Sequence, residues 1–371
     1  MHTKAKKSNS ELDWANFKAA RKYIQVKLAA SHTHYVNNIV DPSLKTSKEL
    51  DKQGQYHSKD NNKGLWAYIK SKRQDSVGVS TLKANGIIAT EAAEKATLLN
   101  SQFSSVFTRE NIEDIPNLPE SPHPQMPNIT ITCKGTQTLL EKLNASKATG
   151  PDELPARVLK EAAIQIAPML SFIFQQSLDS GHVPVDWRSA NVAPIFKKSD
   201  RSKPANYRPV SLTCISCKLL ERIIVKNLLA HLESHNILVD NQHGFRSGRS
   251  CESQLIITTQ DIASYLDKKQ QVDAAVLDFS KAFDKVPHVR LHNKLSFYGI
   301  RGNNLDWITA FLSGQTQRVV VDGHTSPPAD VLSGVPQGSV LGPVLFLLFI
   351  NDIATNIDSH IRLFAGDCLL Y

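Results

Sequence analysis

The hydrophobic positions along this chain change their period several times. Apolar residues recur every three or four positions in Glu11–Ala30 and Glu91–Phe107, which predicts amphipathic helices. Short apolar runs bounded by turn residues predict strands at Ala190–Phe196, Ala274–Leu277 and Gln317–Asp322, the second of them buried. Helices and strands mix without regular alternation, so the sequence predicts an α+β fold.

A proline-rich stretch interrupts this pattern in the first half of the chain. Five prolines and few long apolar side chains lie between Pro116 and Pro127, which predicts a linker. We therefore expect a helical N-terminal extension with its linker at 1–130, a helical lead-in at 131–180 and a core domain at 181–371. Further helices are predicted at residues 65–72, 136–144, 155–165, 168–180, 217–232, 252–267, 288–298, 304–312 and 343–354.

The charge of the chain is concentrated at its N-terminus. The formal net charge is +8, and residues 1–73 hold 15 basic against 6 acidic side chains, while the remainder holds 28 against 29. A basic segment beside a balanced body suits contact with a phosphate backbone. A solvated, lysine-rich extension without a partner explains the charge equally well.

The cysteines and the apolar runs indicate in which cellular compartment the protein is expected. Five cysteines in 371 residues do not make a disulfide framework, and Cys214 and Cys217 lack a second pair at zinc-binding spacing, so we expect reduced packing residues. The N-terminus carries no secretory signal, and the longest apolar run, Val344–Ile350, is too short to span a bilayer. We therefore expect an intracellular protein, nuclear or cytoplasmic, without membrane contact.

Two acidic residues stand where chemistry is expected. Asp278 ends a predicted strand, and Asp367 lies near the tip of a predicted hairpin with arms Ile361–Ala365 and Cys368–Tyr371. Joining a 3′-hydroxyl to the α-phosphate of a nucleotide uses two divalent ions roughly 4 Å apart. Magnesium prefers oxygen ligands, so the two carboxylates are candidate catalytic residues and metal ligands.

Other residues suit a nucleotide pocket around these acids. The bulky ring of Phe283 would exclude a 2′-hydroxyl beside the sugar, although a Phe near a strand end is more often part of the core. Gln337 and Gly338 lie in a Gly/Pro/Gln loop that lets backbone approach a base pair. Arg208 and Arg246 supply charge for a triphosphate or template, although basic residues usually form a solvated surface.

Seven motifs together resemble the reverse transcriptase of non-LTR (LINE-type, jockey-like) retrotransposons. They occur in family order over residues 147–371, while residues 1–130 are only weakly similar to the segment that precedes the polymerase in such elements. The motifs are KATGPDELPARVLK (147–160), NYRPVSL (206–212), HGFRSGRS (243–250), LDFSKAFDKVPH (277–288), SGVPQGSVLGP (333–343), FINDI (349–353) and LFAGDCLLY (363–371).

The resemblance implies a right-hand polymerase with fingers and palm. Such an enzyme extends a DNA primer by copying an RNA template. It implies two Mg²⁺ ions as cofactors and deoxynucleoside triphosphates as substrates, and it indicates no protein partner. Asp278 takes the first metal-ligand position and Phe283 the steric gate. Gln337 and Gly338 form the nucleotide-pocket loop, and Arg246 lies in the fingers near the triphosphate.

The chain departs from the family at one acid. The family hairpin reads Phe-Ala-Asp-Asp, whereas here it reads Phe364-Ala365-Gly366-Asp367. Losing a direct metal ligand removes several kcal/mol of charge stabilisation, on the order of a thousandfold in rate. The chain stops at Tyr371, so we also expect the thumb to be absent. The alternative to an impaired polymerase is an inactive retroelement-derived fragment that binds nucleic acid.

Overall fold

The computed structural model describes residues 6, 10–40, 78–84 and 86–371. The chain divides into two compact units, residues 1–77 and 78–371. In the first unit, the predicted N-terminal helix is confirmed and runs further, from Glu11 to Val40 (α1). The helix predicted at 65–72 lies outside the described residues.

The second unit begins with a small hairpin and a helix. The hairpin pairs β1 (Leu82–Ala84) with β2 (Ile87–Ala89), and α2 (Ala92–Ser104) confirms the second predicted helix. Apolar side chains of β1 and α2 form one core cluster with Val192, Tyr207 and Val319. Residues before 130 therefore share a core with later strands, and the proposed boundary at 130 does not coincide with the division at 77.

The helices of the second unit that follow the proline-rich stretch bury one large apolar core. Each begins and ends within a few residues of its predicted bounds, except that Pro168 lies inside a helix rather than in its first turn. The two cysteines of the predicted packing pair, Cys214 and Cys217, are buried and free. The helices are α3 (Cys133–Glu141), α4 (Ala156–Glu161), α5 (Ala163–Ser180), α6 (Ile215–Ser234), α7 (Cys251–Asp267), α8 (His288–Phe297), α9 (Asn303–Leu312) and α10 (Gly342–Ile350).

A five-stranded sheet lies beside α2. Its central strand β3 (Ser189–Phe196) pairs antiparallel with β4 (Tyr207–Leu212) and parallel with β6 (Thr316–Val321). Two short strands, β7 (His324–Thr325) and β8 (Ala329–Asp330), pair antiparallel with β6. Strand β4 of this sheet forms one wall of a large cavity.

A second, three-stranded sheet has the order β5, β10, β9. Both pairings are antiparallel, between β5 (Ala275–Asp278) and β10 (Asp367–Leu370) and between β10 and β9 (Ile361–Phe364). The prediction that β5 is buried was wrong, since Val276 is 77% and Leu277 42% exposed. The strand lies at the edge of its sheet and pairs on one side only, so its apolar side chains remain accessible.

The proline-rich stretch at 116–127 forms neither helix nor strand, yet it is anchored. Met126 is buried and its N–H donates to the Gly299 carbonyl at 2.8 Å, while the Ser121 hydroxyl donates to the Phe297 carbonyl at 2.5 Å. The stretch therefore lies against the end of α8. In the described part of the chain, no helix has the length and apolar character needed to cross a membrane.

Candidate functional site

A cavity of about 620 Å³ opens between the two sheets of the second unit. Its walls come from β4, from the turn after β5, from the loop before α10 and from the β9–β10 turn. The predicted site residues that line it are Arg208, Asp278, Phe283, Gln337, Gly338 and Asp367. The fold thus brings six of the seven predicted residues to one cavity.

The two predicted catalytic carboxylates face each other across a strand pair. Asp367 is the direct partner of Asp278 in the β5–β10 register, and both side chains are exposed to the cavity. Side chains directly opposite on antiparallel strands have Cβ atoms about 5 Å apart, so the carboxylates converge. On its other side Asp367 pairs with Phe364, so Ala365 and Gly366 form the turn of the hairpin.

Two facing carboxylates suit a hard divalent cation but are a small ligand set. Among the residues that the structure describes, no group of three or more His, Cys, Asp and Glu side chains is placed to hold a metal ion. A third acid would be expected at the hairpin turn, where Gly366 stands. Asp278 and Asp367 would therefore supply two of the oxygen ligands that a divalent cation needs, and Gly366 supplies none.

The backbone at Gly366 does not require glycine. A Cβ atom there would lie 3.4 Å from the Ala282 Cβ and 3.6 Å from the nearest atom of the Phe346 ring, which are ordinary contacts. Its φ is also outside the left-handed region, whereas the preceding Ala365 has φ of +53°. The turn therefore leaves room for a Cβ atom at position 366.

The hairpin turn is held in place by a buried glutamine that the sequence analysis did not identify. The Gln242 side chain accepts from the N–H groups of Ala365 at 2.9 Å and Gly244 at 2.7 Å, and it is 3% exposed. Gly244 lies so close that a Cβ would meet the Ala365 nitrogen at 2.3 Å. The segment that carries the HGFRSGRS motif therefore positions the turn of the hairpin.

Phe283 is both a cavity residue and a packing residue. Its ring stacks on Phe346 with centroids 4.4 Å apart and meets Phe245 edge-on at 6.1 Å. The ring lies in a 3₁₀ turn, Ala282–Lys285, directly after β5. Phe283 therefore lines the cavity while its ring packs against Phe346.

The Gly/Pro/Gln loop docks between the turn after β5 and strand β4. On the first side, the Val335 N–H donates to the Phe283 carbonyl at 2.8 Å. On the second side, the Ser211 N–H donates to the Gln337 carbonyl at 2.7 Å. Gly338 has φ of +125°, and a Cβ there would lie 2.4 Å from the Ser211 carbonyl oxygen, so only glycine fits.

Two buried carboxylates support the same loop. Glu221 on α6 is fully buried and accepts from the N–H groups of Val340 at 2.6 Å and Leu341 at 2.9 Å. Asp284 accepts from the Gln337 side-chain Nε2 at 2.8 Å and is 9% exposed. Burial raises the pKa of both carboxyl groups. An acid within the apolar run of α6 was the signal available in the sequence for Glu221.

Arg246 is the one predicted site residue that does not reach the cavity. Its guanidinium donates to the Val239 carbonyl at 2.8 Å, lies 4.0 Å from Asp240, and leaves the side chain only 12% exposed. The guanidinium contacts residues a few positions earlier in the chain, and Arg246 is not among the residues that line the cavity. Arg208, Lys197 and Lys198 are exposed and supply the basic wall of the cavity instead.

His288, at the start of α8, contacts the Gly/Pro/Gln loop and makes the stability of the folded protein depend on pH. Its Nε2 is 2.8 Å from the Gly334 carbonyl, and burial lowers its pKa. The unfolded chain then binds more protons near pH 6.5, so this group contributes stability that falls as pH drops below that value. We expect His288→Gln to remove up to about 1.4 kcal/mol per pH unit from the slope of unfolding free energy between pH 7 and 5.

Denaturant unfolding at several pH values measures that slope. The comparison between variants is needed because His123 and His243, whose pKa values burial also lowers, contribute with the same sign. Glu221 and Asp284 contribute with the opposite sign, since their pKa values are raised. His324→Gln, a change at an exposed position, is the control; an equal change of slope in both variants would contradict the assignment.

Mixed helices and sheets around facing carboxylates are consistent with a polymerase domain, and comparison with known proteins identifies the family. Residues 195–371 match the family described as reverse transcriptase (RNA-dependent DNA polymerase). This part of the chain therefore belongs to the reverse transcriptase family, of the kind carried by non-LTR retrotransposons, and the predicted resemblance is confirmed.

The similarity to individual relatives extends beyond the matched domain. The chain is 29% identical over 310 residues to the RNA-directed DNA polymerase from mobile element jockey of Drosophila melanogaster, covering 80% of this chain and 33% of that protein. It is 29% identical over 304 residues to the probable polymerase from transposon BS of the same species, covering 78% and 33%. A Pol polyprotein from the type-1 element R2 of Popillia japonica is 30% identical over 187 residues, covering 50% and 26%. The chain spans about a third of the length of the first two relatives.

Proposed function

We propose that the chain comprises the fingers and palm of an RNA-directed DNA polymerase in which Asp278 and Asp367 are the catalytic carboxylates. The observation that carries this proposal is their pairing across the β5–β10 register at the edge of a basic cavity. We propose further that Gly366 impairs the reaction, because the β9–β10 turn beside Asp367 then carries no carboxylate. Magnesium-dependent extension of a DNA primer on an RNA template tests the proposal, as detailed in the Discussion.

The carboxylates would hold the divalent ions on which the family's chemistry depends. Bound Mg²⁺ would activate the attacking 3′-hydroxyl and stabilise the departing pyrophosphate. The protein's own contribution is to place two negative side chains at one point and to keep them exposed, so that a phosphate-bound cation can reach them. The two carboxylates would attract a divalent cation, and Gly366 would add no oxygen ligand beside them.

The basic wall opposite the acids suits a triphosphate. Lys197 and Lys198 are exposed directly after β3, Arg208 is exposed on β4, and Lys281 lies on the turn after β5. Cations facing carboxylates across a cavity match a ligand that carries both phosphate groups and a metal ion. This arrangement favours a nucleoside triphosphate over an uncharged ligand.

The stacked ring of Phe283 would select the sugar. A smaller side chain would leave space for a 2′-hydroxyl, so we expect Phe283→Val, made together with Gly366→Asp, to raise ribonucleotide relative to deoxynucleotide incorporation by about tenfold or more. Single-nucleotide extension with matched dNTP and rNTP measures the ratio. Phe245→Val removes only the edge contact and leaves the ring, so the ratio should stay within about twofold; a similar rise would contradict the gate.

A second candidate function rests on the first compact unit. Helix α1 exposes four cations, Lys18, Arg21, Lys22 and Lys27, within the basic N-terminal segment. Such a helix suits contact with a nucleic-acid backbone, and it would let the chain bind nucleic acid even without catalysis. This function needs neither the carboxylates nor the cavity.

A salt titration tests the second candidate. We expect the logarithm of the affinity for duplex DNA to fall linearly with the logarithm of salt concentration, and Lys18→Ala with Arg21→Ala to reduce the slope by about 0.9 for each phosphate that is no longer neutralised. Filter binding at several salt concentrations provides the measurement. The control replaces two exposed lysines of other helices, Lys134 and Lys160, with alanine. Affinity that is independent of salt would contradict the proposal.

A further inference from the structure

Asp284 lies beside the cavity but has no part in the chemistry assigned to Asp278 and Asp367. It is 9% exposed, and one of its carboxylate oxygens, Oδ1, accepts from the Gln337 side chain at 2.8 Å. The other oxygen, Oδ2, is buried without a hydrogen-bond partner. A buried acid that is only half satisfied costs free energy, so its presence at this wall calls for a function.

We propose that Asp284 is a positioning residue, which fixes the orientation of the Gln337 carboxamide and so sets the group that the nucleotide pocket presents to its ligand. The inference rests on the proposed function, because it takes the cavity to be a nucleotide pocket. Asp284 is not a replacement for the acid missing at 366, since no group of three acidic side chains suited to a metal ion occurs among the described residues.

The orientation follows from the chemistry of the two groups. An amide has a donor half and an acceptor half, which can exchange places by rotation about the last side-chain bond. The Asp284 Oδ1 accepts, so the half of Gln337 that faces Asp284 is the NH₂ group. The carbonyl oxygen, Oε1, is then the half left for a ligand, and the pocket presents an acceptor rather than a mixture of both.

The surrounding backbone keeps Asp284 in place. Its carbonyl oxygen accepts from the Ser333 hydroxyl at 2.7 Å, and the adjacent Phe283 carbonyl accepts from the Val335 N–H at 2.8 Å. Gly334 approaches the same turn so closely that a Cβ there would lie 2.7 Å from both the Phe283 and the Asp284 carbonyl oxygens. The turn and the loop thus form a rigid frame, in which the Asp284 carboxylate is a fixed reference for the Gln337 amide.

The substitution Asp284→Asn separates an orienting role from a packing role. Asn has the size and shape of Asp, but its side chain offers both a donor and an acceptor, so either orientation of Gln337 can be satisfied. A purely structural acid would be replaced by Asn with little effect on the pocket. An orienting acid would not, because the acceptor would be presented only part of the time.

The experiment compares four full-length proteins: the unaltered chain, Asp284→Asn, Gln337→Leu and the double variant. Affinity for dTTP is measured with magnesium and an RNA–DNA primer–template whose primer ends in a dideoxynucleotide. We expect Asp284→Asn to weaken dTTP binding about tenfold, the size of one charge-assisted hydrogen bond. In the Gln337→Leu background the same change should alter affinity by less than about twofold, because the residue acts through Gln337.

A second readout does not depend on nucleotide binding. The side-chain NH₂ resonances of Gln337, assigned by their loss in Gln337→Leu, should shift and exchange faster in Asp284→Asn, while the thermal midpoint stays within about 2 °C. Unmoved resonances, or additive losses of affinity in the double variant, would overturn the positioning role. Resonances that shift while none of the four proteins binds dTTP would overturn the assignment of the cavity as a nucleotide pocket, and with it this proposal.

Discussion

Replacing Gly366 with aspartate is expected to raise magnesium-dependent primer extension on an RNA template by about a thousandfold or more. The new carboxylate would stand in the turn next to Asp367, the strand partner of Asp278, where the structure leaves ordinary contact distances for a Cβ atom. A third acid adds the charge that a divalent cation needs at this point. Single-turnover extension by the unaltered chain and by Gly366→Asp, at equal concentrations, measures the gain.

Two further variants make that result specific. Gly366→Asn adds a side chain of the same size without the charge, and it should give less than about a tenth of the gain if electrostatics causes the effect. Asp278→Asn, made together with Gly366→Asp, should return extension to the level of the unaltered chain. Equal extension by the unaltered chain and Gly366→Asp would show that the glycine does not limit catalysis.

Gly338→Ala is expected to cause the largest loss of stability, about 3 kcal/mol or more. The added Cβ would collide with the Ser211 carbonyl oxygen at 2.4 Å, and φ of +125° is strained for alanine. Because both obstacles are backbone features, no side-chain rotation relieves them. The loop would have to leave β4, and the Ser211 N–H would lose its bond to the Gln337 carbonyl.

The matched control is Gly323→Ala. Gly323 also has positive φ, +81°, but nothing lies within 4 Å of its added Cβ. That variant should lose only the cost of a left-handed alanine, about 1–2 kcal/mol. Denaturant unfolding of the three proteins gives the difference, and similar losses at both positions would show that the contact with Ser211 does not hold the loop.

The local sequence pattern was sufficient to predict most helices and strands in the described part of this chain. The Ser250 hydroxyl accepts from the Ser253 N–H at 3.2 Å at the start of α7, as a serine directly before a helical pattern suggests. Gly181 ends α5 with φ of +66°, as a glycine after a helical pattern suggests. Such features depend on residues a few positions apart, so a single sequence contains the information.

Other properties depended on which elements meet. The run Ala274–Leu277 reads as buried, but the strand lies at a sheet edge, where nothing in the described chain covers Val276. Arg246 has the positive charge needed to bind a phosphate, but its guanidinium donates to the carbonyl of Val239, a few residues earlier in the chain. Asp284 resembles an ordinary turn residue until Gln337, far along the chain, is seen to donate to it.

The sequence by itself determined the family and the order of the elements, including the strand that ends at Asp278 and the hairpin that carries Asp367. It also determined that glycine stands where the family has an acid. Only the tertiary structure decided that these carboxylates face each other, that Arg246 lies away from them and that the glycine is not required by the backbone. The physical reason is that period and residue type act over a few positions, whereas burial, strand register and hydrogen-bond partners arise from groups brought together across the chain.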